Sequence, residues 1–319
     1  MTSPALYDPA RDDGEEQIRA HIADLERQGP PSDPRTDIDT ASLTARYPRL
    51  GAVTTADLAV PSPDADLTAR VYHPTGRDPG VGLVWIHGGG WVGGDIDRPE
   101  AHWVSLELAA RGIAVVSLGY RKALHGVRAA QLEDDVRRGW HAGREALRDL
   151  GIAAEAVHVG GASAGSALAA GLTLRMRDED GPSPASALLV YPLVHRELPP
   201  LSAEVADSVR GLPAAQVISP RAARAYTANV LGMDDVVEPY LFPGDAPSLG
   251  GQPPVLIIAA QRDLLRASSD RYARQLREAG VPVVSETQAD VAHGYLDDPG
   301  LPEALASIDR MARWMADRS

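Results

Sequence analysis

The chain has no cysteine among its 319 residues, one phenylalanine and a single lysine, Lys122. Without cysteine there is no disulfide framework, no thiolate nucleophile and no zinc site built on thiolates. No apolar run approaches the roughly 20 residues that a membrane-spanning helix needs. The first fifteen residues are acidic and lack a basic segment followed by an apolar one, so a secretory leader is not expected. A formal net charge of -13 argues against nucleic acid and anionic membrane surfaces as partners. A soluble, cytoplasmic protein is the expectation. The acidic run Asp178-Glu179-Asp180 leads straight into Gly181-Pro182 and reads as a solvated turn rather than a cation site, so no metal is expected.

What is present is an alternation. Residues 14–28 carry Ile18, Ile22 and Leu25 at helical spacing among charges. A proline-rich stretch, residues 29–34, ends that helix. Segments 53–60 and 67–72 read as strands joined by the turn Pro61-Ser62-Pro63-Asp64. From residue 81 short apolar runs (81–87, 113–118, 157–159, 187–190, 255–260 and 281–286) alternate with helical patterns such as 129–150, 164–177 and 268–279. A last helix covers 302–316. This rhythm predicts βαβ units and an α/β fold with a mainly parallel sheet. Residues 195–250 break it, with several prolines, two weak helical patterns and no core-quality strand. A stretch of that length without strands is seldom an idle loop. Together with the N-terminal residues 1–48 it is the expected lid over a core formed by 49–194 and 251–319.

Gly161-Ala162-Ser163-Ala164-Gly165 follows a strand and opens a helix of small residues. A nucleophilic serine at a cramped strand-to-helix turn needs neighbours without bulk, and all four comply. The helix that follows directs its positive end at the site. Alone, the motif could be an incidental serine in a Gly/Ala-rich turn. A second signal is His87-Gly88-Gly89-Gly90-Trp91, directly after the 81–86 run. Its glycines leave backbone N–H groups unshielded, and those of Gly88 and Gly89, with that of Ala164, are the expected oxyanion hole. The loop lacks the Lys-Ser/Thr pair of a P-loop and the G-x-G-x-x-G spacing, which removes the phosphate-binding reading.

A serine nucleophile needs a base, and the base an orienting carboxylate. Only His195 and His293 follow Ser163. His293 lies past the last strand, whereas His195 falls at the start of the lid segment. For the acid, Asp263 follows the 255–260 strand, at the carboxyl edge where such sites gather. Asp290, Asp297 and Asp298 compete, but they stand too close to His293 to come from a separate strand end. Ser163, Asp263 and His293 are therefore the expected triad. Trp91 and Tyr295 are candidates for lining the substrate pocket, with packing as the even alternative.

On these motifs, from His87–Trp91 through Tyr120-Arg121, Gly161–Gly165, Tyr191-Pro192 and Asp263-Leu264-Leu265-Arg266 to His293-Gly294-Tyr295, the chain resembles the hormone-sensitive-lipase-like esterases of the α/β-hydrolase superfamily over roughly residues 81 to 296. The resemblance implies an eight-stranded sheet with helices on both faces and a helical cap. It also implies hydrolysis of short-acyl carboxylic esters of small molecules, without a cofactor. Departures are Ala162 where the family usually has an acid, Ser166 where it has glycine, Ala123-Leu124-His125 after Tyr-Arg, and Leu264 after the aspartate. An amidase, deacetylase or formamidase, a biosynthetic dehydratase or cyclase, and a non-catalytic receptor are the competing readings. The retained Ser163 and His293 count against the last two. A homodimer is compatible with the sequence, which carries no interface signal.

Overall fold

The computed structural model describes residues 5–28, 40–75, 79–232 and 240–318, so the proline-rich stretch 29–34 lies outside the described residues. Helix α1 (Gly14–Gln28) and a short α2 (Thr40–Arg46) precede a hairpin of β1 (Val53–Val60) and β2 (Leu67–Pro74). The alternating part then runs β3 (Val81–Ile86), α3 (Pro99–Ala110), β4 (Ile113–Leu118), α4 (Ala129–Asp149), β5 (Val157–Ala162), α5 (Ala164–Asp178) and β6 (Ala187–Val190). The insertion carries α6 (Ala203–Ser208) and α7 (Pro220–Leu231), followed by β7 (Val255–Arg262), α8 (Arg266–Glu278), β8 (Val283–Ala292) and α9 (Pro302–Ala316). The eight strands form one sheet in the order β1-β2-β4-β3-β5-β6-β7-β8. Strand β2 is antiparallel to both neighbours, and β4 through β8 are parallel. This is the α/β-hydrolase architecture that the motifs implied.

Strands β3, β4, β5 and β6 are buried at every position, as a parallel sheet covered on both faces requires. Side chains of a strand alternate between faces. In β3, Val84 and Ile86 join the core beneath α4, α5 and α8, while Leu83 and Trp85 join the one beneath α3 and α9. Helix α3 is not evident from periodicity, because Pro99 through Ala109 are all buried and no polar face marks its turns. The final strand is longer than the 281–286 reading. As the sheet edge it pairs on one side only, and its alternately exposed residues Glu286 to Asp290 hide its strand character.

Residues N-terminal to α1 and the insertion join each other. Leu6 and Pro213 form an antiparallel bridge, Tyr7 N donates to Leu212 O at 2.9 Å, and Ala214 N donates to Ala5 O at 2.9 Å. Helices α1 and α7 meet at Gly14, where a Cβ would fall 2.5 Å from Ser219 Oγ, so only glycine admits this approach. A small apolar cluster of Val205, Val209 and Leu212 closes over Leu264, with Ala292 beside it. Thus the insertion rests on the residues that flank Asp263 and His293. No described helix is long and apolar enough to cross a membrane.

Candidate active site

Sheet register gathers the predicted residues at one edge. Ile86 pairs with Gly161, Ala162 with Val190, and Arg262 with Ala292. Each site residue sits just past one of those strand ends: the glycine loop after β3, Ser163 after β5, Tyr191 after β6, Asp263 after β7 and His293 after β8. A register irregularity between Ala260 and Arg262 brings the last two strand ends level. This carboxyl edge is where open α/β sheets hold their ligands.

Ser163 has φ 52° and ψ −121°, a strained backbone for a residue with a side chain. Ser163 N donates to Val190 O at 2.9 Å, which helps hold the turn. A Cβ at Gly165 would lie 2.1 Å from Ile86 O, so the small residues of the motif are a packing requirement. Ser166 is explained in the same way. Its hydroxyl donates to Gly161 O at 2.5 Å and accepts from Val190 N at 3.0 Å, pinning the turn to β6. Ala162 is fully buried in the core shared with α3 and α9.

Ser163 Oγ lies 2.9 Å from His293 Nε2, and His293 Nδ1 lies 2.7 Å from Asp263 Oδ2. The other carboxylate oxygen of Asp263 accepts from Leu265 N at 2.9 Å. With Nδ1 donating to the carboxylate, Nε2 is left to accept the serine proton. The ring of Tyr191 meets the imidazole edge to face, centroids 4.8 Å apart. His195 is remote from this group, bonded to Ser268 Oγ and Gln275 Oε1. Asp297 forms a bidentate pair with Arg98, so that competitor for the acid role is already engaged.

The glycine loop departs from expectation at Gly88. Its N–H donates to Glu100 Oε2 at 2.9 Å and is not free for a substrate oxygen. Among the described residues, the N–H groups of Gly89, Gly90 and Ala164 have no protein acceptor. Ala164 opens α5, whose first N–H groups lack helical partners by construction. Gly89 and Gly90 have φ 121° and 61°, the region that glycine tolerates best. Sequence reading assigned Glu100 no role, because it lies twelve residues downstream on a helix with no visible pattern.

His87 holds the other side of the loop. Its Nδ1 faces Gly88 O at 2.7 Å, and a carbonyl only accepts, so Nδ1 carries the proton. Nε2 then accepts from Lys122 Nζ at 3.0 Å. Burial, reinforced by Lys122, pushes His87 well below its usual value and keeps it neutral. Tyr120 donates its hydroxyl to His87 O at 2.9 Å and stacks on the imidazole. Lys122, singled out in the sequence only for being alone, is half-buried, and burial pushes its ammonium down to about 7.

That shift carries a stability consequence. Between about pH 7 and pH 10 the unfolded chain retains a lysine proton that the folded protein has released, so folding stability rises with pH in that window. The neutral amine still donates to His87 Nε2. Urea unfolding at pH 7 and pH 9.5 should show this gain, and Lys122→Met should flatten it. Equal gains in both proteins would mean that the ammonium is solvated.

Trp91 is fully buried and meets Phe242 of the insertion edge to face, centroids 5.8 Å apart. Tyr226 of α7 lies against Gly90, where a Cβ would come within 2.6 Å of its ring. Tyr295 is engaged in the core, its hydroxyl 2.7 Å from Ser307 Oγ and its ring against Tyr191. These contacts are those that the packing reading of Tyr295 expects. In the acidic run, Asp178 pairs with Arg177 and Glu179 with Arg175, as a solvated turn would.

Residues 83–297 match the model of a family described by its alpha/beta hydrolase fold. The chain is 33% identical over 310 residues to esterase LipI of Mycobacterium tuberculosis, covering 94% of this chain and 87% of that protein. It is 33% identical over 242 residues to the carboxylesterase NlhH of the same organism, covering 73% and 72%. The crystal structure of esterase LipW from Mycobacterium marinum superposes with a TM-score of 0.75 at 25% identity, over 95% of this chain and 90% of that one.

Proposed function

The chain belongs to the hormone-sensitive-lipase-like family of α/β-hydrolase carboxylic ester hydrolases, and from that premise we propose that it cleaves short-acyl esters of small molecules through an acyl-enzyme on Ser163. The observation that carries this reading is the hydrogen-bonded series Ser163–His293–Asp263 at the end of three strands. His293 Nε2 takes the Ser163 proton as Oγ attacks the acyl carbonyl, and Asp263 stabilises the imidazolium. The imidazolium then protonates the leaving alkoxide. Water enters and attacks the acyl carbon as His293 takes its proton, and the imidazolium returns that proton to Ser163 Oγ as the acid leaves. The developing oxyanion is met by the N–H groups of Gly89, Gly90 and Ala164, which have no protein acceptor among the described residues.

The N-terminal residues 1–48 and the insertion 195–250 act together as the cap, a reading supported by their mutual bridge and by the α1–α7 contact. Tyr226 and Trp91, with Phe242, bring bulk to the oxyanion loop and favour a small acyl group. Tyr295 does not border the substrate in this scheme.

The test is a series of p-nitrophenyl esters together with a fluorophosphonate probe. kcat/KM should peak between acetyl and butyryl and fall at least about tenfold by decanoyl, since each added methylene stabilises the complex only until the pocket is full. The probe should label Ser163. An increase continuing to decanoyl would refute the short-acyl reading, faster turnover of matched anilides would turn the protein into an amidase, and no labelling would favour a receptor.

A further inference from the structure

The segment Asp95-Ile96-Asp97-Arg98-Pro99-Glu100 plays no part in the chemistry above, yet its Glu100 is buried and its Arg98 partly buried between the two halves of the site. Glu100 is 1% exposed. Its Oε1 accepts from Trp85 Nε1 of β3 at 2.9 Å, and its Oε2 accepts from Gly88 N at 2.9 Å. Arg98 Nε stands 3.8 Å from Glu100 Oε2 and donates to Asp297 Oδ1 at 2.8 Å, and its Nη2 completes the pair on Oδ2. Asp297 lies four residues past His293, in the short turn Tyr295–Asp297. Glu100 N also donates to Asp297 Oδ1 at 3.4 Å. One connected set of charges therefore runs from the oxyanion loop to the loop that carries the base.

We propose that Glu100, tied through Arg98 to Asp297, is a positioning residue that sets the Gly89 and Gly90 N–H groups against the Ser163–His293 pair. This rests on the triad reading above. A loop of three successive glycines has no side chains of its own to hold it, and its donors must stand about 2.7–3.1 Å from the oxyanion. The Gly88 N–H is the nearest handle, and Glu100 anchors it to Trp85 in the rigid sheet. Taking these charges out of water makes them a poor source of net stability. Burial, with the nearby Asp297 carboxylate adding to it, raises the Glu100 carboxyl to about 7 against the pull of Arg98 and the two N–H donors. The arrangement is better matched to fixing geometry than to holding the fold.

The chemistry of the carboxylate makes the test specific. Both oxygens of Glu100 accept from N–H donors, whereas a carboxamide accepts on one oxygen only. In Glu100→Gln, either Gly88 N–H or Trp85 Nε1–H must face an amide NH₂. The oxyanion exists only along the reaction path, so its misplacement reduces kcat and spares KM. We expect Glu100→Gln to lower kcat for p-nitrophenyl butyrate on the order of 10²-fold, with KM within about twofold. Asp297→Asn, at the more accessible end, should lower kcat several-fold in the same manner.

The second readout is inhibition by butylboronic acid, whose anionic tetrahedral serine adduct places a boronate oxygen where the oxyanion forms. Its Ki should rise in proportion to the fall in kcat in both variants, while the melting temperature stays within a few degrees of wild type. Unchanged kcat in both variants overturns the proposal. So does a kcat that falls with the melting temperature while boronate affinity is kept, because that pattern belongs to a merely structural residue. Should Glu100→Gln fail to fold, Asp297→Asn decides alone. Fluorophosphonate labelling of the wild type separates the two levels: without it the triad reading fails and this one with it, whereas labelling with fully active variants removes only the Glu100 assignment.

Discussion

Ser163→Ala is expected to lower kcat for p-nitrophenyl butyrate by about 10⁴-fold or more, leaving only the rate that binding and the oxyanion donors provide. No other residue in the group can replace the attacking Oγ, since His293 Nε2 has no second hydroxyl within bonding distance among the described residues. Alanine keeps the Cβ and inherits the same φ of 52°, so the turn is not relieved and the fold should be retained. Steady-state kinetics on protein with a wild-type circular dichroism spectrum checks this. Turnover within tenfold of wild type would remove Ser163 from the mechanism, and the loss of fluorophosphonate labelling in the same variant provides an independent reading.

Asp263→Asn should cost about 10⁴-fold in kcat, and the local hydrogen bonds say why. Asp263 Oδ1 accepts from Leu265 N at 2.9 Å, while Oδ2 faces His293 Nδ1 at 2.7 Å. An asparagine must keep its oxygen toward the Leu265 N–H, which turns its NH₂ toward Nδ1. The imidazole then takes the other tautomer, with its proton on Nε2, and can no longer accept from Ser163. KM should change little, because substrate contacts are untouched. Nitrogen NMR of the ring should show the exchanged tautomer. A loss smaller than tenfold would assign the orienting role to Asp290 or Asp298, since Asp297 is already paired with Arg98.

How much of this was legible beforehand follows from the range of the interactions. The strand runs 113–118 and 187–190 coincide with β4 and β6, because continuous apolar composition is a local property that full burial directly demands. The elements missed or cut short were those whose pattern is set by their surroundings. Helix α3 is buried on all sides and so shows no polar stripe, and β8 is an edge strand whose exposed positions carry charges and polar groups. In the candidate site, Ser163, Asp263 and His293 could be nominated from motif, chain order and placement after strands. The Gly88 N–H, expected in the oxyanion hole, is held by Glu100, and Glu100, Tyr191 and Tyr226 were given no role, since nothing near them in sequence marks a bond to a residue 12 positions away or a ring contact across the insertion.

The sequence by itself determined the βαβ order and the small residues around Ser163. It also determined the order of serine, acid and base along strand ends, because each of these depends on local sterics or on chain direction. Only the tertiary structure decided which of the loop's N–H groups remain free. A glycine N–H is the same donor wherever it stands, and its availability depends on whether a distant carboxylate such as Glu100 has reached it first.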